Sequence, residues 1–189
     1  MFVYVYAKES KKLTAKTCLF TSLGTLEVGE SNNKTRLVER VGSGSFGDVY
    51  LGVTDANTQV AVKVALSSCP SSAKSLLYEG DVYRKLAGGP GIASVIWFGM
   101  HGYDYNMLVM EMLGPTLYGV WTQLGQRFSM KTLLMVVDQT LETISHVHGR
   151  GFVHRDISPS NLMLGPTRDR IYLIDFGQAK RQVIRDVML

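Results

Sequence analysis

Short runs of β-branched and aromatic residues, separated by turn residues, dominate the middle of the chain. Residues 37–41, 48–53 and 59–64 are short runs rich in β-branched residues, of strand-like length, with Gly or Asp/Asn turns between them. They predict three consecutive antiparallel strands. The period then changes. Over residues 75–86, Leu76, Leu77, Val82, Tyr83 and Leu86 fall roughly on one side of a helix, which Gly88-Gly89-Pro90-Gly91 ends. Two more strands are expected at 93–98 and 107–112, with 102–106 as the turn between them.

Gly114-Pro115 breaks the chain, and helical spacing follows. Ser129 is a candidate N-cap for a helix reaching about residue 148, where Leu133, Leu134, Val137, Leu141, Ile144 and Val147 recur near the helical period. Gly149 and Gly151 supply its end. Strand-like pieces at 161–164 and 171–174 flank a polar turn. The expected class is therefore α+β. A five-stranded antiparallel sheet with one helix occupies residues 35–113, and a mainly helical part begins at 114 and runs to 189. Residues 1–34 stand apart as an N-terminal extension, with 30–34 as a boundary loop.

Composition narrows the class. Hydrophobic residues make up 46% of the 189 residues and charged residues 19%, which describes a globular chain rather than a disordered tail. Twenty Lys and Arg against sixteen Asp and Glu give a net charge of +4. The densest basic stretch, Lys8, Lys11, Lys12 and Lys16, is short and reads more simply as a solvated surface than as a nucleic-acid site, so no nucleic-acid partner is expected. Cys18 and Cys69 form no metal spacing and no disulfide framework, and Cys69 sits in a polar stretch, 67–72, that reads as a loop. The apolar start, residues 1–7, is too short for a signal core, and no segment approaches a membrane span. A cytoplasmic or nuclear protein is expected.

Several residues then introduce chemistry. Gly42-x-Gly44-x-x-Gly47 precedes the strand former Asp48-Val49-Tyr50-Leu51, so these glycines join two strands and do not open a helix as in a dinucleotide-binding fold. Glycines in such a loop let backbone amides approach phosphates closely. Lys63 ends the run Val60-Ala61-Val62-Lys63. Strand alternation puts Ala61 and Lys63 on one face, with room for a flat base beside an ammonium group. Glu79, on the following helix, is a candidate anionic partner for Lys63, although a lone helical Glu is ordinarily a solvated charge.

The group His154-Arg155-Asp156, Asn161 and Asp175-Phe176-Gly177 is more specific. An apolar run, Ile171-Tyr172-Leu173-Ile174, delivers the Asp175 carboxylate next to a glycine. Asn161 and Asp175 are oxygen ligands suited to Mg2+, which usually keeps water and phosphate as its other ligands. Asp156 is left to accept a hydrogen bond from a hydroxyl under attack. In order, these pieces supply what phosphoryl transfer from a nucleoside triphosphate requires.

With these motifs the chain resembles the protein kinases, and specifically the casein kinase I family. The resemblance runs from about Thr35 to Arg181. It is carried by Val41-Gly42-Ser43-Gly44-Ser45-Phe46-Gly47-Asp48-Val49-Tyr50-Leu51-Gly52, Leu77-Tyr78-Glu79 and Val109-Met110-Glu111-Met112-Leu113-Gly114-Pro115-Thr116-Leu117. Phe152-Val153-His154-Arg155-Asp156-Ile157 and Ile174-Asp175-Phe176-Gly177-Gln178-Ala179-Lys180 complete it.

The resemblance implies a bilobal fold with a β-rich small lobe and an incomplete helical large lobe. It implies a serine/threonine kinase that uses ATP and Mg2+ and acts on protein Ser/Thr hydroxyls. Lys63 would bind the α- and β-phosphates and pair with Glu79. Asp156 would be the base, with Asn161 and Asp175 as Mg2+ ligands. Val41 through Gly47, with Val49, Ala61 and Leu164, would contact the nucleotide. Met110 would guard the back of the adenine pocket, and Glu111 to Leu113 would form the hinge. His154 and Phe176 would belong to a packed column.

Two departures from the family pattern qualify this expectation. Where the family has lysine two residues after the catalytic aspartate, this chain has Ser158. Losing one preorganised donor to a transferring group costs about 10² to 10³ in rate. The sequence also ends at Leu189, soon after Gly177, short of the family's activation segment and remaining helices. The apolar side of the 129–148 helix is thus expected to lie bare and favour association. These departures motivate a second reading, a pseudokinase-like module that binds nucleotide or a partner without turnover. A third reading is a gene fragment with no function of its own.

Overall fold

The computed structural model describes residues 34–44 and 47–182. The N-terminal extension, Cys18, Ser45, Phe46 and residues 183–189 lie outside the described residues. The chain divides into two compact units that interleave in sequence. One comprises Met1–Leu77 with Val95–Met112, and the other Tyr78–Ser94 with Leu113–Leu189.

The first unit is built on a five-stranded antiparallel sheet. Its strands are β1 (Thr35–Gly44), β2 (Gly47–Thr54), β3 (Gln59–Leu66), β4 (Val95–His101) and β5 (Tyr105–Glu111). They lie in the order β1-β2-β3-β5-β4. Alternation sends Val60, Val62 and Val64 to one face, where they form a core with Leu37, Tyr50, Met107 and Val109. Each such side chain, fully buried, contributes about 1.5–3 kcal/mol. Trp97 and Tyr105 close its margin.

Helix α1 (Pro70–Leu86) follows β3, and the division between the units passes through it. It begins five residues earlier than the apolar spacing suggests (70 against 75), so half of the expected 67–72 loop is helical. Pro70 explains the shift. A proline needs no amide partner in the first turn, and its fixed φ suits that position. Leu76, Val82 and Leu86 are fully buried along the helix.

The second unit adds α2 (Leu117–Gln123) and α3 (Met130–Gly149). The sequence pattern did not single out α2, which is short; Thr116 caps it by accepting a hydrogen bond from Gly119 N–H at 3.0 Å. Ser129 caps α3 as expected, its Oγ accepting from Thr132 N–H at 3.1 Å. Two small ladders complete the unit. β7 (Leu162–Leu164) pairs with β8 (Ile171–Leu173), and β6 (Phe152–Val153) with β9 (Lys180–Arg181). On α3, Leu133, Leu134, Val137 and Leu141 are exposed, while Ile144 is half-buried and Val147 is buried.

Smaller boundary corrections share one cause. β4 starts two residues and ends three residues later than expected, and β5 starts two residues earlier and ends one earlier, so 105–106 are strand. Asn161 precedes β7 and does not open it. Ladder pairing with a neighbouring strand, not local propensity, sets these ends.

No helix among the described residues is long and apolar enough to cross a membrane.

Candidate functional site

In the first unit, β1 and β2 converge on the glycine motif. Register pairs Gly42 with Val49, Ser43 with Asp48 and Gly44 with Gly47. Gly47 cannot carry a side chain, because an added Cβ would lie 2.1 Å from the Val64 carbonyl oxygen on β3. The glycine therefore lets β2 start flush against β3. Asp48 is buried on the core side of the sheet and forms an ion pair with Arg40 on β1, Nη2 to Oδ1 at 2.8 Å. A buried carboxylate needs such a partner. Tyr50 lies on the same face, and burial, with the Asp48 charge adding to it, raises its phenol above the ordinary value of 10.0.

The opposite face of this sheet gathers the other expected nucleotide-contacting residues. Val49 is directly opposite Lys63, Lys63 opposite Leu108, and Ala61 opposite Met110. Val41, Val49, Ala61, Lys63 and Met110 are all partly exposed, and Glu111 follows at the end of β5. Ser45 and Phe46, expected at the loop tip, lie outside the described residues. The first unit thus brings together a loop of glycines, a small-residue platform and a lysine.

The second unit organises the remaining candidates around the loop between α3 and β7. Asn161 donates from Nδ2 to the Asp156 backbone oxygen at 2.8 Å and to Asp156 Oδ2 at 3.0 Å. Its N–H donates to Ser158 O, closing a tight turn, and its carbonyl accepts from Ile174 N–H at 2.9 Å. That last bond ties the loop to the segment bearing Asp175. The amide nitrogen of Asn161 is thereby committed to Asp156, so the group it can offer a cation is its amide oxygen.

β8 delivers the Asp175 segment, and Gly91 positions β8. Leu173 N–H donates to Gly91 O at 2.9 Å. Gly91 has φ +65°, and an added Cβ would meet Thr143 Oγ1 at 2.3 Å and Ile171 O at 2.6 Å. Asp175 itself adopts left-handed geometry, φ 66° and ψ 66°. Phe176 is fully buried, its ring edge-on to His154 at 4.8 Å and to Tyr83 at 4.9 Å.

His154 is buried and bonded on both nitrogens. Nδ1 accepts from Asp156 N–H at 3.2 Å, so Nε2 carries the proton and donates to Ile174 O at 2.9 Å. Burial lowers its pKa below the ordinary 6.5, against opposing contributions from the Ile174 hydrogen bond and the Asp175 and Asp156 charges. The ring is neutral near pH 7.

Leu164 is tied to the backbone just after Leu113. Gly114 N–H donates to Leu164 O at 2.8 Å, and Leu164 N–H to Pro115 O at 3.0 Å. Glu79, which a helical position by itself marks as solvated, is buried, with 2% of its surface exposed.

Three contributors were not singled out from sequence as site residues. Tyr78 donates its hydroxyl to Ala179 O at 3.0 Å, Tyr83 accepts from Asp175 N–H, and Arg155 Nε donates to Gln178 O at 2.7 Å. The sequence signals were the place of Tyr78 next to Glu79 and of Tyr83 on the apolar side of the helix, and neither points to a hydroxyl partner. Their partners lie 101 and 92 residues away.

Asn161 and Asp175 fit Mg2+, a hard cation commonly held by one or two oxygen side chains with phosphate and water completing its shell. A protein-family model, the protein kinase domain, matches residues 35–187. That span begins with β1 and includes every described residue placed above.

Proposed function

We propose, from the premise that this chain belongs to the protein kinase family, that it binds ATP with Mg2+ and phosphorylates protein serine and threonine hydroxyls in the manner of casein kinase I. The observation that carries the reading is the double hydrogen bond from Asn161 to Asp156, tied through Asn161 O to the Asp175 segment. It fixes Asp156 against Asn161 within one loop and ties that loop to the segment bearing Asp175.

The chemistry follows from these groups. Asp156 accepts the proton of the acceptor hydroxyl as its oxygen bonds to the γ-phosphorus. The bond from that phosphorus to the β–γ bridging oxygen breaks, and ADP leaves. Lys63 orients the α- and β-phosphates, and the glycine motif beside it covers them. Ala61 leaves space for adenine on the face it shares with Val41, Val49 and Met110, and Glu111 follows at the end of β5. Bound Mg2+, held by Asn161 and Asp175, would neutralise phosphate charge. Asn161 N–H bonds Ser158 O, in the turn where the family carries lysine.

Ser158 supports a second reading, a nucleotide-binding module with little turnover. Two measurements divide the readings. Saturating MgATP is expected to raise the melting temperature of the full chain; no stabilisation defeats both nucleotide readings. Ser158→Lys is expected to raise casein phosphorylation about 10²-fold if transfer is the function. A variant that still binds MgATP but shows no transfer favours the binding module.

A further inference from the structure

The phosphoryl-transfer reading leaves the Tyr83 hydroxyl without a task. The side chain is buried, with 1% of its surface exposed. Its ring contacts Phe176 edge-on, a packing role that phenylalanine would fill equally well. The hydroxyl does something a phenyl ring cannot: it accepts a hydrogen bond from Asp175 N–H at 3.2 Å.

That N–H and the Ile174 carbonyl belong to a single peptide unit. His154 Nε2 donates to the carbonyl at 2.9 Å, so the unit is held on one edge by His154 and on the other by Tyr83. The next rotatable bond is φ of Asp175, which sits at 66° in the left-handed region. A residue with a Cβ enters that region at a cost and stays only where its surroundings impose it. Turning the peptide plane changes ψ of Ile174 and φ of Asp175 together. A plane fixed on both edges therefore fixes the direction in which the Asp175 side chain leaves the backbone. His154 also accepts from Asp156 N–H, so the same imidazole braces the base and the metal ligand.

We propose that Tyr83 is a positioning residue. Its hydroxyl, paired with His154 across the Ile174–Asp175 peptide, locks the left-handed backbone that presents the Asp175 carboxylate to a divalent cation. The proposal rests on the reading of Asp175 as an Mg2+ ligand and adds the device that aims it.

The test compares wild type, Tyr83→Phe and Tyr83→Leu in the full chain. Two readouts are taken: hydrogen exchange of the Asp175 amide in the 15N-labelled protein without ligand, and Mg2+ affinity in the presence of ATP. Tyr83→Phe is expected to retain the fold, speed Asp175 exchange, and weaken Mg2+ about tenfold while leaving metal-free ATP binding unchanged. Tyr83→Leu, which also removes the ring contact, is expected to lower the melting temperature as well. Unchanged Asp175 exchange in Tyr83→Phe overturns the proposal. So does faster exchange with unaltered Mg2+ affinity. If wild type binds no MgATP, the kinase reading falls and the positioning role falls with it, while faster exchange in Tyr83→Phe still records the clamp on the peptide.

Discussion

The two units present their candidate groups in different ways. In the first, Val49, Ala61, Lys63 and Met110 share a face because a regular ladder puts them there, each opposite its neighbour at fixed spacing. Little beyond strand alternation and one close approach at Gly47 is needed. In the second, Asp156, Asn161 and Asp175 stand on loop and short-strand backbone. They are held by individual hydrogen bonds: Asn161 Nδ2 donates to Asp156, Asp156 N–H to His154 Nδ1, and Asp175 N–H to the Tyr83 hydroxyl. A ladder spreads the consequence of one substitution over many pairings. A site built from single bonds concentrates it.

That contrast predicts unequal sensitivity. The largest effect is expected at Asp156. Asp156→Asn keeps the shape of the side chain but removes the carboxylate proposed to accept the proton, and should lower phosphoryl transfer about 10³-fold with nucleotide affinity little changed. Lys63→Met, in the ladder unit, should instead weaken ATP binding measured by calorimetry while leaving the fold intact. Equal effects of both variants on binding and turnover would erase the distinction.

Next comes Gly91→Ala. Left-handed φ and contacts with Thr143 and Ile171 leave no space for a methyl group, so a loss of about 3 kcal/mol in urea unfolding is expected. A loss under about 0.5 kcal/mol would mean β8 is held by its own pairing instead.

The smallest expected effect is a pH dependence from His154. Its folded pKa lies below 6.5, so the folded state favours the neutral ring. Its contribution is complete above the unfolded pKa. As pH falls below 6.5, the unfolded chain takes up a proton that folded His154 does not. Stability then declines until the lower folded pKa is reached, and the contribution levels off below it. The urea midpoint should therefore drop more between about pH 7.5 and about pH 5.5 in wild type than in His154→Phe. Parallel declines would remove His154 from the account.

The same contrast explains what could be read without coordinates. Strand alternation is local, so β1, β2 and β3, and the shared face of Ala61 and Lys63, followed from residue type alone. Ser129 as the cap of α3 was equally local. The motifs around Asp156 and Asp175 marked the chemistry, but not how it is braced. Glu79 illustrates the difference: a lone charged residue on a helix belongs in water by pattern, and tertiary packing buries it. Pro70 shows a local rule given too little weight, since its fixed φ started α1 before the apolar repeat began.

The amino-acid order by itself determined the ladder, the glycine loop and the identity of the acid, amide and lysine groups, because period and side-chain chemistry are properties of neighbouring residues. Only the folded arrangement decided that Tyr83 meets the Asp175 amide, that His154 joins two loops as a neutral ring, and that Gly91 seats β8. Those contacts link residues 20 to 92 positions apart, and no local preference encodes a pairing across such a distance.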